Sequence, residues 1–251
     1  LGASLTGLHV IDVFLIQGPM MTDITATVGM PPYEGFLEAV ETSLKEKADA
    51  ILASFQKRCR AAGVACAAKT NIGKISDTII EEAENADLIL MAKKGEHFHL
   101  KEGGLIGSVA EVVIRKSGKP VLVTPESYRE IESMGLAYDG SPSAKKALAL
   151  SLSLSEKAQW PITVLIVHAD AAKAADLSAE VETLAQKGLA DCEVVVSSGK
   201  EAEEILKFIK EGSVELMAMG AYGHNRLREW LLGSTTSTII QKSPVPVLLI
   251  R

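Results

Sequence analysis

The sequence matches itself at a distance of about half its length, and this internal duplication limits the fold more than any other feature. Leu88-Ile89-Leu90-Met91-Ala92 corresponds to Leu216-Met217-Ala218-Met219-Gly220. Further on, Gly107-Ser108 and Lys116-Ser117-Gly118-Lys119-Pro120-Val121-Leu122 correspond to Gly233-Ser234 and Lys242-Ser243-Pro244-Val245-Pro246-Val247-Leu248. The offset of this second set is 126 residues, 234 minus 108. Upstream, Leu8-His9-Val10 aligns with Val167-His168-Ala169, which puts His9 and His168 at equivalent strand ends with a structural role. Two copies of one unit therefore make up the 251 residues, enough for two small domains with real cores.

Within each copy, short apolar runs alternate with amphipathic stretches. In the first, 8–16 reads as a strand and 17–33 as a Met-, Gly- and Pro-rich loop. Phe36, Leu37, Val40, Leu44, Ala48, Ile51, Leu52 and Phe55 recur at three- and four-residue spacing, which predicts a long helix to about Ala62. A strand over 64–70, a helix over 75–84, a buried strand over 87–92, a helix over 108–116 and a strand over 120–124 follow. After a polar linker at 125–132, the second copy reads as strands at 133–138, 162–168, 192–197, 214–219 and a closing strand at 247–250. Helices at 143–157, 174–189, 201–210 and 235–242 separate them. Such alternation demands parallel pairing with helices on both faces of the sheet, an α/β fold.

A net charge of -6 without basic runs argues against nucleic acid or an anionic membrane as partner. No apolar run approaches the roughly 18 residues of a membrane span. Cys59, Cys66 and Cys192 lack metal-ligand spacing and read as reduced thiols of a cytoplasmic protein, with redox sensing as the alternative. His97-x-His99 offers two imidazoles without nearby cysteines or acids, a poor metal site.

Chemistry concentrates between Leu216 and Arg251. Gly220-Ala221-Tyr222-Gly223 is followed by nine residues and then Gly233-Ser234-Thr235, with Ser234 expected to cap the helix after it. Glycines let a backbone approach a ligand closely, and a helix N-terminus aims free N–H groups at an anion. This G-x-x-G-x9-G-S signature, its helix and the closing Ser243-Pro244-Val245-Pro246-Val247-Leu248-Leu249 closely resemble the universal stress protein family. The resemblance implies two tandem doubly wound parallel-sheet (Rossmann-like) domains of strand order 3-2-1-4-5, over 1–125 and 133–251. It also implies ATP or AMP, with Mg as accompanying cation, at the switch point of the second copy.

Carried over residue by residue, Ala137 and Tyr138 line the base, Val167 offers it backbone contacts and Met219 packs beside it. Gly220 and Gly223 pass the ribose and phosphates, so a valine at 220 would fill the ligand's space. Gly233, Ser234 and Thr235 hold phosphate oxygens. His224 and Arg226 either neutralise phosphate charge or are solvated loop residues. Asp139, before Gly140-Ser141-Pro142, reads by itself as a turn or cap aspartate; the resemblance assigns it contacts to adenine or ribose.

The first copy departs from the pattern. Ala92 replaces the first glycine, Lys93 and Lys94 follow, eleven residues separate Gly95 from Gly107, and Ser108-Val109-Ala110-Glu111 reads as a capping box that satisfies its own helix end. One nucleotide site per chain is therefore expected. The first copy also shows no opening strand, which is central in the family's sheet order, so a strand upstream of Leu1 is expected between the strands at 8–16 and 87–92. The closing strands 121–124 and 247–250 are expected to pair as sheet edges in an intramolecular pseudo-dimer, since in single-copy relatives such edges meet across a dimer; a homodimer of the whole chain is a further possibility. No G-x-x-x-x-G-K-S/T, G-x-G-x-x-G or His-x-Gly-His and no evident general base occurs. The leading expectation is an ATP- or AMP-binding regulator of the stress response with an unknown protein partner and at most slow hydrolysis. A nucleotide-free interaction scaffold is the alternative, and an adenylating enzyme ranks last.

Overall fold

The structure, a computed structural model, describes residues 2–17, 34–93, 107–187, 192–212, 214–221 and 233–251. The described chain divides into two compact units, 2–82 and 83–251.

The smaller unit holds β1 (Leu5–Asp12), α1 (Val13–Gln17), α2 (Glu34–Ala61), β2 (Cys66–Gly73) and α3 (Ile75–Glu82). β1 and β2 pair in parallel, from Leu5 opposite Cys66 to Asp12 opposite Gly73. Ala48, Leu52 and Cys59 form the buried stripe of α2, and α2 lies so close to β1 that a side chain at Gly7 would meet Phe55 Cδ1 at 2.6 Å. The strand expected over 8–16 begins and ends earlier. Asp12 Oδ1 accepts from Phe14 N (3.1 Å), a side-chain-to-backbone bond that starts a helix where the apolar run alone suggests more strand.

In the larger unit, a short 3-10 turn precedes β3 (Ile89–Ala92), α4 (Ser108–Lys116), β4 (Val121–Thr124) and β5 (Met134–Ala137). Then come α5 (Pro142–Ala158), β6 (Ile162–Val167), α6 (Ala171–Lys187), β7 (Cys192–Ser197), α7 (Glu201–Glu211), β8 (Leu216–Gly220), α8 (Ser234–Lys242) and β9 (Val247–Ile250). The seven strands run β3-β4-β9-β8-β5-β6-β7. Taken alone, the second copy is β7-β6-β5-β8-β9, all parallel, which is the order 3-2-1-4-5.

Between the copies the ladder turns antiparallel. Val121, Leu122 and Val123 of β4 face Leu249, Leu248 and Val247 of β9, a pseudo-twofold pairing centred on Leu122 and Leu248. The closing strands do meet, and in meeting they stop being edges. Pro120 and Pro246 stand just outside the paired residues, where a missing N–H breaks no ladder bond. Their carbonyls accept from Ile89 N and Met217 N, both at 3.0 Å. The strands of the first copy split: β1 and β2 form a two-stranded sheet, while β3 and β4 belong to the seven-stranded one, and β1 and β3 do not pair.

The register also corrects the alignment of the copies. Leu5 pairs with Cys66 as Ile162 pairs with Cys192, so His9 corresponds to Ile166 rather than to His168. His9 lies inside β1, opposite Thr70, whereas His168 follows the last residue of β6.

Strand alternation divides the second copy's residues between two faces. Met134, Leu136, Tyr138, Ile162, Val164, Ile166, Leu216, Ala218, Leu248 and Ile250 share one core cluster with α5 and α6. The residues between them point to the opposite face, where a side chain at Gly135 would meet Phe208 of α7.

Candidate functional site

On the α7 and α8 side of the sheet, at the carboxyl ends of the adjacent strands β5 and β8, lies a cavity of about 230 Å³. Here the sheet reverses its winding, and the chain on either side must diverge to cover opposite faces. Ala137, Tyr138, Asp139, Val167, Met219, Gly220, Gly233, Ser234 and Thr235 all line it. Gly223, His224 and Arg226 fall outside the described residues, as does His97-x-His99. Among the described residues no group of three potential metal ligands occurs.

One wall is apolar, made by Ala137, Leu165, Val167, Ile205 and Met219. The sequence reading missed Leu165, Glu201, Ile205, Ala221 and Thr236, which also line the cavity. Period-2 spacing from Val167 reaches Leu165, and Glu201 and Ile205 are one helical turn apart, so their faces were readable. Which face of α7 turns inward was not.

The β5–α5 turn is built from side chain and backbone together. Asp139 Oδ1 accepts from Ser141 N (3.0 Å), Gly140 has φ 75, a left-handed conformation that suits glycine, and Ser141 caps α5 by accepting from Ala144 N (3.2 Å). Asp139 thus acts as the turn aspartate, with one oxygen closing the turn; it also lines the cavity, and among the described residues Oδ2 has no partner.

Tyr138 is turned away. It is buried in the core on the α5 and α6 side, and its hydroxyl donates to Glu180 Oε2 (2.9 Å), while the other oxygen, Oε1, pairs with Lys145 at 2.5 Å. Burial, reinforced by the carboxylate, holds the phenol above its ordinary value. Hydrogen bonding from Lys145 holds Glu180 below its own.

Gly220 also needs a different account. Its missing side chain points at α5, where a Cβ would meet Ser143 Oγ at 2.6 Å and Ala144 N at 2.9 Å. The glycine lets β8 and the start of α5 pack closely; it does not clear space in the cavity.

At the far end, α8 begins at Ser234 with Gly233 as N-cap and no side-chain cap bond. Ser234 is thus the first helical residue rather than the cap, since the preceding glycine has no side chain to offer. The first backbone bond of the helix is Ser237 N to Gly233 O (2.9 Å), so the N–H groups of 234–236 have no acceptor within it. Thr235 Oγ1 donates to Glu201 Oε2 (3.1 Å). In the first copy Gly107 likewise caps α4 without a side-chain bond, so the capping box expected at Ser108 and Glu111 does not form.

The arrangement joins an apolar slot, one free carboxylate oxygen and an uncapped helix N-terminus. It can hold a flat apolar group with hydroxyls at one end and an anion at the other.

Comparison with protein families matches the description "Universal stress protein family" twice, over residues 1–125 and 130–251. Universal stress protein Slr1230 of Synechocystis sp. is 29% identical over 262 residues, covering 100% of this chain and 91% of its own. Universal stress protein YxiE of Bacillus subtilis is 29% identical over 145 residues, covering 47% of this chain and 97% of its own. Among solved structures, a universal stress protein from Archaeoglobus fulgidus superposes with a TM-score of 0.75 at 24% identity, covering 99% of this chain and 86% of that one. With both halves matched by the family, the chain belongs to the universal stress protein family in its tandem form.

Proposed function

We propose that the cavity at the β5–β8 switch point binds ATP or AMP and that the chain is a nucleotide-responsive regulator of the stress response. The observation that carries this reading is the convergence of nine sequence-selected residues on one cavity that ends at an uncapped helix N-terminus.

The residues present fit such a ligand. Ala137, Leu165, Val167, Ile205 and Met219 would flank the base. Asp139 Oδ2 would accept from a ribose hydroxyl or the adenine amino group, and the N–H groups of 234–236 with the Ser234 hydroxyl would hold phosphate oxygens. Thr235 can join them only by leaving Glu201. The Glu201 carboxylate repels a polyphosphate, which gives an accompanying Mg ion a reason to be there. The volume, about 230 Å³, is below the roughly 300–1,000 Å³ of typical small-molecule sites, and the adjoining segment 222–232 is not among the described residues.

Native mass spectrometry of freshly purified protein tests this. The expected spectrum contains the chain plus the mass of ATP or AMP, directly or after incubation. A chain that takes up neither would instead support a nucleotide-free scaffold.

A further inference from the structure

Two of the three cysteines meet within the smaller unit. Cys59 sits near the C-terminal end of α2 and Cys66 opens β2, and their side chains are in hydrogen-bond contact. A tight turn holds them there. Ala62 N and Val64 N both donate to Cys59 O, at 3.2 and 2.9 Å, with Gly63 between them at φ 67, a conformation glycine adopts without strain. Cys59 is 6% exposed, while Cys66 is half-buried.

The second copy supplies an internal comparison. Cys192 opens β7 as Cys66 opens β2, but the residue seven positions earlier is Ala185, near the end of α6 and 5% exposed. Alanine therefore satisfies the packing at this place in the fold. The thiol at 59 adds a partner for the strand cysteine that the other copy lacks.

We propose that Cys59 and Cys66 are a thiol-oxidation site that closes to a reversible intramolecular disulfide when the protein meets a hydroperoxide. The Cys66 thiolate attacks one peroxide oxygen, the O–O bond breaks, the departing oxygen takes a proton, and Cys66 becomes a sulfenic acid. The Cys59 sulfur then attacks the Cys66 sulfur. The S–O bond breaks, and hydroxide leaves with the Cys59 proton as water. Two thiols lose two electrons and two protons, and hydrogen peroxide is reduced to two waters. Two thiols joined by a side-chain hydrogen bond are neighbours, so the about 2.0 Å S–S bond requires their side chains to close up but no rearrangement of the fold. Burial, with the Cys66 contact adding to it, holds the Cys59 thiol above its ordinary value, so the second step quickens as pH rises.

The test treats the full chain with hydrogen peroxide and maps thiols by intact mass and proteolysis. Expected are a loss of two hydrogens, a linked peptide containing Cys59 and Cys66, reversal by dithiothreitol and a higher Tm for the oxidised form. Cys59→Ala, which copies the second domain, should still fold, form no link, and leave a Cys66 sulfenic acid that a dione reagent traps. Oxidation of Cys66 to sulfinic acid in the unmodified chain without a Cys59 link would overturn the proposal. So would crosslinks between chains in place of the internal one.

Discussion

Gly220 lines the cavity, but the structure gives a packing reason for a glycine there. Its position in the glycine motif is plain in the sequence, but the direction of its missing side chain depends on which face of β8 meets α5, and that is tertiary. Because a Cβ would press on Ser143 Oγ and Ala144 N at 2.6 and 2.9 Å, Gly220→Ala should lower stability by about 1–3 kcal/mol, read by urea denaturation, and Gly220→Val by more. Stability unchanged in Gly220→Ala would contradict the close strand–helix packing. Glu201 makes a separable prediction. It faces the proposed phosphate position and competes for Thr235, so Glu201→Gln should tighten ATP binding severalfold when magnesium is removed by EDTA and much less when it is present.

The Lys145, Glu180 and Tyr138 cluster adds a pH dependence. Glu180 titrates below its ordinary 4.5 in the fold, so its contribution is complete above that value and is lost as pH falls through the lower, folded one. Tyr138 titrates above its ordinary 10.0, so its contribution is complete below that value and is lost as pH rises beyond it. Glu180→Gln should flatten the acid limb of a stability-against-pH curve, and an unchanged limb would show that the ion pair contributes nothing.

Strands and helices of the second copy were legible because their periods are clear. β7 falls on 192–197 as read, and parallel pairing follows from alternation, whereas the order 3-2-1-4-5 was implied by the family resemblance. Element ends were less legible. Asp12 starts a helix inside an apolar run, and the glycines 107 and 233 take the cap positions that the serines after them had suggested. Equivalence of the closing strands goes down to single bonds: Ser117 Oγ accepts from Lys119 N (3.0 Å) as Ser243 Oγ accepts from Val245 N (3.2 Å). Leu248, 1% exposed and opposite Leu122, lies at the centre of this junction. Leu248→Ala should cost about 2–5 kcal/mol and Leu248→Lys more, because a charge would be buried without a partner. An unfolding midpoint that stays put in both variants would mean that the β4–β9 pairing contributes little to the larger unit.

The duplication itself was the most legible property of the chain, and together with the family resemblance it predicts the pairing of closing strands. What a repeat cannot reveal is how the copies share a sheet: β3 and β4 of the first continue the sheet of the second, while β1 and β2 form their own. It also cannot say which residues of other elements approach the glycine motif, and Glu201 and Ile205 enter the cavity from a helix outside every motif. The central claim is one adenine nucleotide per chain at the β5–β8 cavity. Among the contacts proposed for it, Asp139 can be altered without undoing its turn, since asparagine keeps the Oδ1 acceptor for Ser141 N and replaces the free acceptor by a donor. Isothermal titration of the full chain with ATP and with AMP, alongside Asp139→Asn of unchanged Tm, is the most direct test. The account predicts a stoichiometry near one for at least one of the two nucleotides and clear weakening in the variant; binding of neither, or equal binding by the variant, would contradict it.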